Sequence, residues 1–511
     1  MKGLSEVRVA GNYAFAVSYY NTSFEVFNVA NPAQPVPVAV LRNGDGGAVL
    51  SEPIGMDVQG DFAYVNNKNG SVEVIDISDP TKPKHAATVL DGQGGAVLKD
   101  LNGGIRVRGN YLYIVGRGAA VLEIIDISDP YKPFHAGLLN NGSGGASLAN
   151  PYDLDFKDDF LFVTSYDANA LEVLDISNPV SPKHVSTLFN GTGGAVLTRP
   201  HNVKVLGNLA YITNNYDNNL EIIDVSDPAN PVHAGNFSSY PGFGTLLTPH
   251  GIDAVGRYPV VTSQVDGLWL LDANSPNAIK PYAVKPAINP VALNVFINGR
   301  YVYVASFSDP GGLTIFELSG LSIPNTAPTR LTLSKRSIVE GKPAGSIVGN
   351  FMSTDMEGGG VEYSLVAGAG GDDNSFFSLS GAALKTSGVF AYTTRPSYNI
   401  RVRVTDSGGL FREEAFTINV LPGYLPGNGL VGWWPFNGNA NDESGNAHEG
   451  LVLEALPVQD RFGNSSKAYD FDGVNDYINV NSINNTFFEN DFSLSLWVNS
   501  DNYENDYAGI V

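Results

Sequence analysis

VEVIDISDP at residues 72–80, LEIIDISDP at 122–130, LEVLDISNP at 171–179 and LEIIDVSDP at 220–228 are one phrase written four times. FEVFNVANP at 24–32 is a fifth copy, and LWLLDANSP at 268–276 and LTIFELSG at 313–320 are degenerate ones. Successive copies start 48, 50, 49, 49, 48 and 45 residues apart, so the first part of the chain is an array of repeats, and a repeat governs every other pattern laid over it. Each period holds about four short runs rich in Val, Ile, Tyr or Phe, bounded by Gly, Asn, Asp and Pro; four strands per period is the pattern of a β-propeller blade. The closing DP or NP is turn chemistry, which makes Asp79, Asp129, Asn178 and Asp227 structural.

Between the phrases runs a glycine-rich loop: NGDGGAVL from Asn43, DGQGGAVL from Asp91, NGSGGASL from Asn141, NGTGGAVL from Asn190, and a divergent YPGFGTLL from Tyr240. A phosphate-binding loop leads into a helix whose N-terminus faces the anion. Each loop here leads into another strand. It is expected to cross from the outer strand of one blade to the inner strand of the next, with glycines permitting the turns and the closing apolar residues anchoring the return.

The phrases IIDISDP and VIDISDP resemble the bacterial LVIVD repeat family, over residues 1–322. The resemblance implies an all-β, seven-bladed propeller of a kind found mostly in exported proteins, where it serves as a scaffold and interaction platform. The first period shows all four strand-like runs and the seventh only three, so closure by an outer strand from upstream of Met1 is expected. A signal peptide is expected there too.

Register sorts the histidines. His85, His135, His184 and His233 share a Pro-x-His pattern that places them on outer strands, in structural roles. His201 in RPHNV and His250 in TPHGI stand 49 residues apart, just before the innermost strands of neighbouring blades. With Asp153 from the preceding blade they form the candidate ligand or metal site at the propeller mouth. A second column, on the innermost strands, reads Arg8, Asp57, Arg106, Asp155, Lys204, Asp253, Phe296. Its signs alternate around the ring, and the apolar seventh place is what an odd ring requires. Such ion pairs fix blade order more than they add net stability; the alternative is a polar channel that binds a small solute.

Two further modules follow. Residues 323–422, with SIVEGKPAGSIVGNF, TDMEGGGVEYSLV and YNIRVRVTDSGGL, resemble a bacterial cadherin-like repeat, which implies a seven-stranded β-sandwich. That resemblance implies calcium held by carboxylates: Glu340, Asp355, Glu357 and Asp406 match the acidic motifs, whereas Ala391 and Thr393 stand where further acids are expected. Residues 426–511, with GLVGWWPFNGNANDESGNAHEGLV and AYDFDGVNDYINV, are similar to the start of a laminin G or concanavalin A-like domain. The implied jelly-roll binds glycans or proteins, often with calcium; Asp442, Asp470, Asp472 and Asp476 lie in its motifs, as turn residues before ligands.

Composition narrows the function. Across 511 residues, 30 Lys and Arg face 52 Asp and Glu, a net charge of −22 that repels nucleic acid and anionic membranes. The absence of Cys excludes disulfides, thiolate metal sites and a Cys nucleophile. The sequence has no membrane-length apolar run, nucleophile elbow, HExxH or Walker loop. Three β modules in series suit an extracellular or cell-surface protein that binds glycans or partner proteins. The alternative is a propeller enzyme acting on a sugar or lactone, or the non-catalytic part of a larger carbohydrate-active enzyme.

Overall fold

A computed structural model describes residues 3–99, 103–285, 292–307 and 312–319, most of 321–421 and parts of 431–480. Two compact units divide the chain: Leu421 onward, with the short strips Val339–Gly341 and Ala391–Thr394, forms one, and nearly all of the preceding chain forms the other.

The repeats are antiparallel sheets wound strand after strand. Six have four strands, spanning 4–42, 53–90, 105–140, 151–189, 200–237 and 249–285; a three-stranded sheet follows at 292–317. The first strand of each sheet packs beside the first strand of the next, and Ala292–Asn298 packs beside Leu4–Ala10. The chain is a repeat β-propeller. Its strands are apolar on both faces because both are covered: Leu122, Ile124 and Ile125 are fully buried, and each hydrophobic core lies between two neighbouring sheets.

The turn chemistry is as the repeat demands. Asp76, Asp126, Asp175 and Asp224 accept the N–H of the Ser two residues on, at 2.8–2.9 Å. Asp79, Asp129 and Asp227 cap the next turn in the same way at 3.0–3.1 Å.

The junction of last and first sheets has its own core of Leu4, Val7, Ala14, Ala16, Phe27, Val29, Tyr303 and Ala305. Asn294 Nδ2 also donates to Glu6 Oε2 at 2.6 Å, across 288 residues. Burying one Leu or Val is worth about 1.5–3 kcal/mol, against roughly 1 kcal/mol net for one hydrogen bond. The apolar core therefore holds the junction, and the polar pair sets its register.

Each of the first four glycine loops crosses to the next sheet with Gly in left-handed backbone, as at Gly191 (φ 84°) and Gly194 (φ 96°). Ala195 and Leu197 then bury against the sheets. The fifth, divergent loop instead folds into a small hairpin of Ser239–Tyr240 and Gly244–Thr245.

In 330–421, two four-stranded sheets share a core that includes Leu331, Phe351, Leu384, Ile400, Val402, Phe416 and Ile418. Ser397–Thr405 alternates apolar inward and polar outward, as a half-buried strand must. The sequence implied seven strands; the described residues here form eight, the short Ser337–Val339 pairing with Phe411–Leu421. Within 431–480 the described strands form two antiparallel pairs, Leu451–Leu453 with Tyr477–Asn479 and Leu456–Val458 with Ala468–Asp470. Among the described residues no helix is long and apolar enough to cross a membrane.

Candidate functional site

In an antiparallel blade the turn after the second strand and the loop entering the first strand lie at the same end of the sheet. That end of the ring carries the site. Tyr19, Lys68, Arg117, Tyr166 and Asn215 open the first kind of turn at intervals of 49 residues, and Tyr152, His201 and His250 begin innermost strands at the same interval.

The sequence grouped Asp153 with His201 and His250, and the structure corrects that register by one residue. Tyr152 is their equivalent; Asp153 aligns with Asn202 and Gly251. The 49-residue spacing that relates His250 to His201 leads back to position 152, and a bulge after the first residue of these strands, at Pro151, Pro200 and Pro249, shifts the pairing alike in all three. Asp153 is buried and turned to its own partners: Arg106 at 3.3 Å, and the Asn202 side chain and Val203 N–H at 3.2 Å each.

Tyr152, Tyr166, His201 and His250 form one cluster. Ring centroids lie 4.5 Å apart for Tyr152 and His201, 5.3 Å for Tyr166 and His201, and 5.4 Å for His201 and His250. Each imidazole faces a backbone carbonyl through Nδ1, His201 to Arg199 at 3.1 Å and His250 to Leu293 at 2.9 Å. A carbonyl only accepts, so Nδ1 carries the proton and Nε2 the lone pair. Tyr152 O–H then donates to His250 Nε2 at 3.0 Å. Burial, with His250 and Arg117 nearby, holds the His201 pKa down at about 3; burial also lowers that of His250 and raises that of the Tyr152 phenol to about 12. Thr164 and Thr213 donate to the carbonyls of His201 and His250, so each histidine is pinned by the blade before it.

Cations interleave with the rings. Arg117 lies 4.6 Å from the Tyr152 centroid and 5.5 Å from Tyr166; Arg199 lies 5.5 Å from Tyr166 and 4.4 Å from Tyr216. The row continues into an open depression of about 580 Å³ lined by Arg117, Asn150 and Asp167 among others. Arg117 Nε donates to Asn150 Oδ1 at 2.7 Å, and Asn150 Nδ2 to Asp167 at 3.0 Å. At this end the residue before each entering Pro, namely Glu52, Asn150, Arg199 and Thr248, has φ between 44° and 53°. Non-glycine residues adopt that region at a cost of order 1–3 kcal/mol. Across the ring Tyr19, Tyr20 and Phe307 make a second aromatic group, with Tyr20 58 % exposed.

Below the mouth lies the charged column. Arg8 meets Asp57 at 3.4 Å and its guanidinium lies 5.4 Å from the Phe296 ring; Lys204 meets Asp253 at 3.2 Å and Asp155 at 3.9 Å. Arg106 bonds to Asp153 and feels Glu6, Asp57 and Asp155 as well. Burial opposes the charge on Lys204, yet Asp253 and Asp155 outweigh it and raise its pKa. The three column aspartates also stitch blades together: Asp57, Asp155 and Asp253 accept the N–H of Val107, Val205 and Ile297 at 2.8 Å.

A further set of residues escaped the sequence reading. His85, His135, His184 and His233 lie on the outer strands as expected, and each is bonded through Nδ1 to a fully buried glutamate, Glu73, Glu123, Glu172 or Glu221, at 2.5–2.7 Å. Burial pushes Glu73 and Glu123 up, and Glu221 up to about 7. The glycine loop from the preceding blade rests on the pair: a Cβ on Gly47, Gly95, Gly145 or Gly194 would stand 3.2–3.6 Å from the imidazole. The signal was a Glu inside an apolar strand with a His twelve residues later, four times over.

The acids of the later modules are held by local hydrogen bonds. Asp406 accepts from Gly408 and Leu410 N–H at 2.8 and 2.9 Å and from Asn325 at 3.0 Å, while Glu340, which belongs to the other compact unit, accepts from Tyr392 N–H at 2.8 Å. Asp355 is half-buried and Glu357 lies outside the described residues. Asp442 accepts from Trp433 and His448 N–H, and Asp476 from Asp472 N–H; Asp470 is exposed. Among the described residues no three His, Asp or Glu side chains converge as a metal site.

Five stretches, 55–91, 103–140, 152–188, 200–239 and 291–332, match the LVIVD repeat. A comparison with curated proteins gave no match. Solved structures with similarity include a functionally unknown protein from Desulfotomaculum acetoxidans DSM 771, at 13 % identity and TM-score 0.44, covering 59 % of this chain and 88 % of that one. Others are a 6-phosphogluconolactonase, so titled provisionally, from Bacteroides uniformis ATCC 8492 (12 %, 0.46, 63 % and 92 %) and the WD40 β-propeller domain of Doa1 (11 %, 0.47, 62 % and 94 %).

Proposed function

We propose that the chain is part of an exported, cell-surface or extracellular binding protein, built on a seven-bladed propeller whose aromatic and cationic mouth binds glycans. The observation that carries this reading is the row Tyr152, Arg117, Tyr166, Arg199, Tyr216 beside the Asn150–Asp167 depression. The exposed Tyr216 ring can cover the C–H face of a sugar, while Arg117, Asn150 and Asp167 of the depression meet its hydroxyls. The mouth histidines favour binding over proton transfer. Both are held neutral, with one nitrogen committed to the backbone.

A glycan array probed with the full chain tests the reading: at least one glycan class should be retained by the wild type and lost by Arg117→Ala. Equal retention by both, or by neither, contradicts it. Export is tested by protease treatment of intact source cells, which should degrade the protein without lysis.

For the modules after the propeller we propose a cadherin-like and a laminin G-like identity, adding contact surface for glycans or extracellular proteins. Calcium is proposed for the cadherin-like module alone, through the acids its motifs carry. Glu340 and Asp406 would have to give up backbone N–H groups to bind it. Millimolar calcium should therefore raise the unfolding temperature of that module over chelator, and identical melts contradict the proposal.

A further inference from the structure

We infer that His201 and His250 are a paired ligand set for a divalent late transition ion that accepts tetrahedral-to-trigonal angles, zinc(II) foremost, with Tyr152 Oη as the adjoining oxygen donor and copper(II) as the spectroscopic probe. This goes beyond glycan binding and does not depend on it.

The geometry rests on three observations. First, both imidazoles donate Nδ1–H to a backbone carbonyl, which leaves the lone pair on Nε2 in each; a histidine that ligates a metal almost always has its other nitrogen so anchored. Second, two imidazoles sharing one ion through Nε2 at about 2.0–2.1 Å place their centroids roughly 5.2–5.5 Å apart at angles between tetrahedral and trigonal. The His201 and His250 centroids are 5.4 Å apart, at an interplanar angle of 56°. Third, Tyr152 O–H already sits on His250 Nε2 at 3.0 Å and its ring is 4.5 Å from that of His201. An ion entering there replaces the Tyr152 proton between oxygen and nitrogen, and that proton goes to solvent if the phenolate coordinates.

The site is built in advance. Thr164 and Thr213 fix the backbone of the two histidines from the neighbouring blades, and His201 is only 8 % exposed. Two nitrogens and an oxygen at such angles suit zinc(II), and copper(II), which stands highest in the affinity order of divalent first-row ions, reports the same ligands by its spectrum. Arg117 is the nearby opposing charge; Asp153 acts on the same Tyr152 and His250 with the opposite sign.

The test uses the full chain, stripped with chelator and titrated with copper(II) against a competing chelator, followed by electron paramagnetic resonance. The wild type and His135→Gln, which alters an outer-strand histidine, should each bind one equivalent tightly, with hyperfine coupling to two nitrogens. His201→Gln and His250→Gln should weaken that equivalent at least a hundredfold. Absence of a tight equivalent in the wild type, or unchanged affinity in a folded His250→Gln, overturns the inference. Should the Gln variants fail to fold, the wild-type spectrum decides alone, and coupling to fewer than two nitrogens overturns it.

Discussion

His201 shows how the ring uses a residue that sequence alone leaves open. A buried imidazole beside a second imidazole and a guanidinium resists protonation, and its pKa falls from 6.5 to about 3. Because the folded value is depressed, the neutral form's contribution to stability is complete above pH 6.5 and is lost as pH falls from there toward 3. Glu221, raised from 4.5 to about 7, has the opposite sign: its contribution is complete below 4.5 and is lost as pH rises through 7. A global melt mixes the two, so the check is carbon-13 NMR of labelled histidine, assigned with a His201→Gln variant. The His201 resonance should stay neutral throughout the range from pH 7 to 5, and a midpoint near 6.5 contradicts the burial argument. His135 offers a second prediction. Truncating it to Ala leaves the buried Glu123 without its imidazole and should cost about 1–3 kcal/mol in chemical denaturation. The apolar double replacement Glu123→Met/His135→Leu should cost less than the single change, because it removes the buried acid together with its partner.

At the scale of the element, the glycine loop is a latch on a Glu–His pair rather than a ligand cradle. Gly145, at φ 101°, would place a Cβ 3.2 Å from His184, whereas Gly144, at φ 60°, has open space around it. Gly144→Ala should therefore lose only the left-handed backbone penalty, about 1–2 kcal/mol, and Gly145→Ala distinctly more. Equal losses in urea denaturation would show that the loop does not rest on the imidazole. Much of this level was legible beforehand: the period near 49 residues, the Asp-Pro turns and the outer-strand place of His85, His135, His184 and His233 all follow from repetition. Two parts were not. Glu73, Glu123, Glu172 and Glu221 were hidden inside apolar strands, where a buried carboxylate is tolerated only because a His and loop N–H groups from another blade meet it. Tyr152 stands 49 residues before His201, but its role was hidden, because only folding sets its phenol on His250 Nε2.

For the whole molecule, closure and function meet at the ring. Leu4 is fully buried at the junction of last and first sheets, so Leu4→Ala should cost about 2–5 kcal/mol. Asn294→Ala, which removes one closing hydrogen bond, should cost only about 1 kcal/mol. The reverse order would place the closing energy in the polar pair. The ring so closed gathers, at one end, side chains that the sequence scatters from Tyr19 to Phe307, with strained backbone at Glu52, Asn150, Arg199 and Thr248 in the same rim. Of the charged column read from alternating signs, Arg8 meets Asp57 and Lys204 meets Asp155 and Asp253, whereas Arg106 turns to Asp153, outside the column; the aromatic and cationic row was not legible, because its members come from two different columns that only folding brings side by side. The most direct test of the mouth as the binding face is hydrogen–deuterium exchange of the full chain with and without an array-positive glycan. The account predicts protection at the turns 117–120, 166–169 and 215–218 and at the strand starts 151–153, 200–202 and 249–251. Protection confined to the opposite-end turns 128–132 and 177–181, or to 431–480, would contradict it.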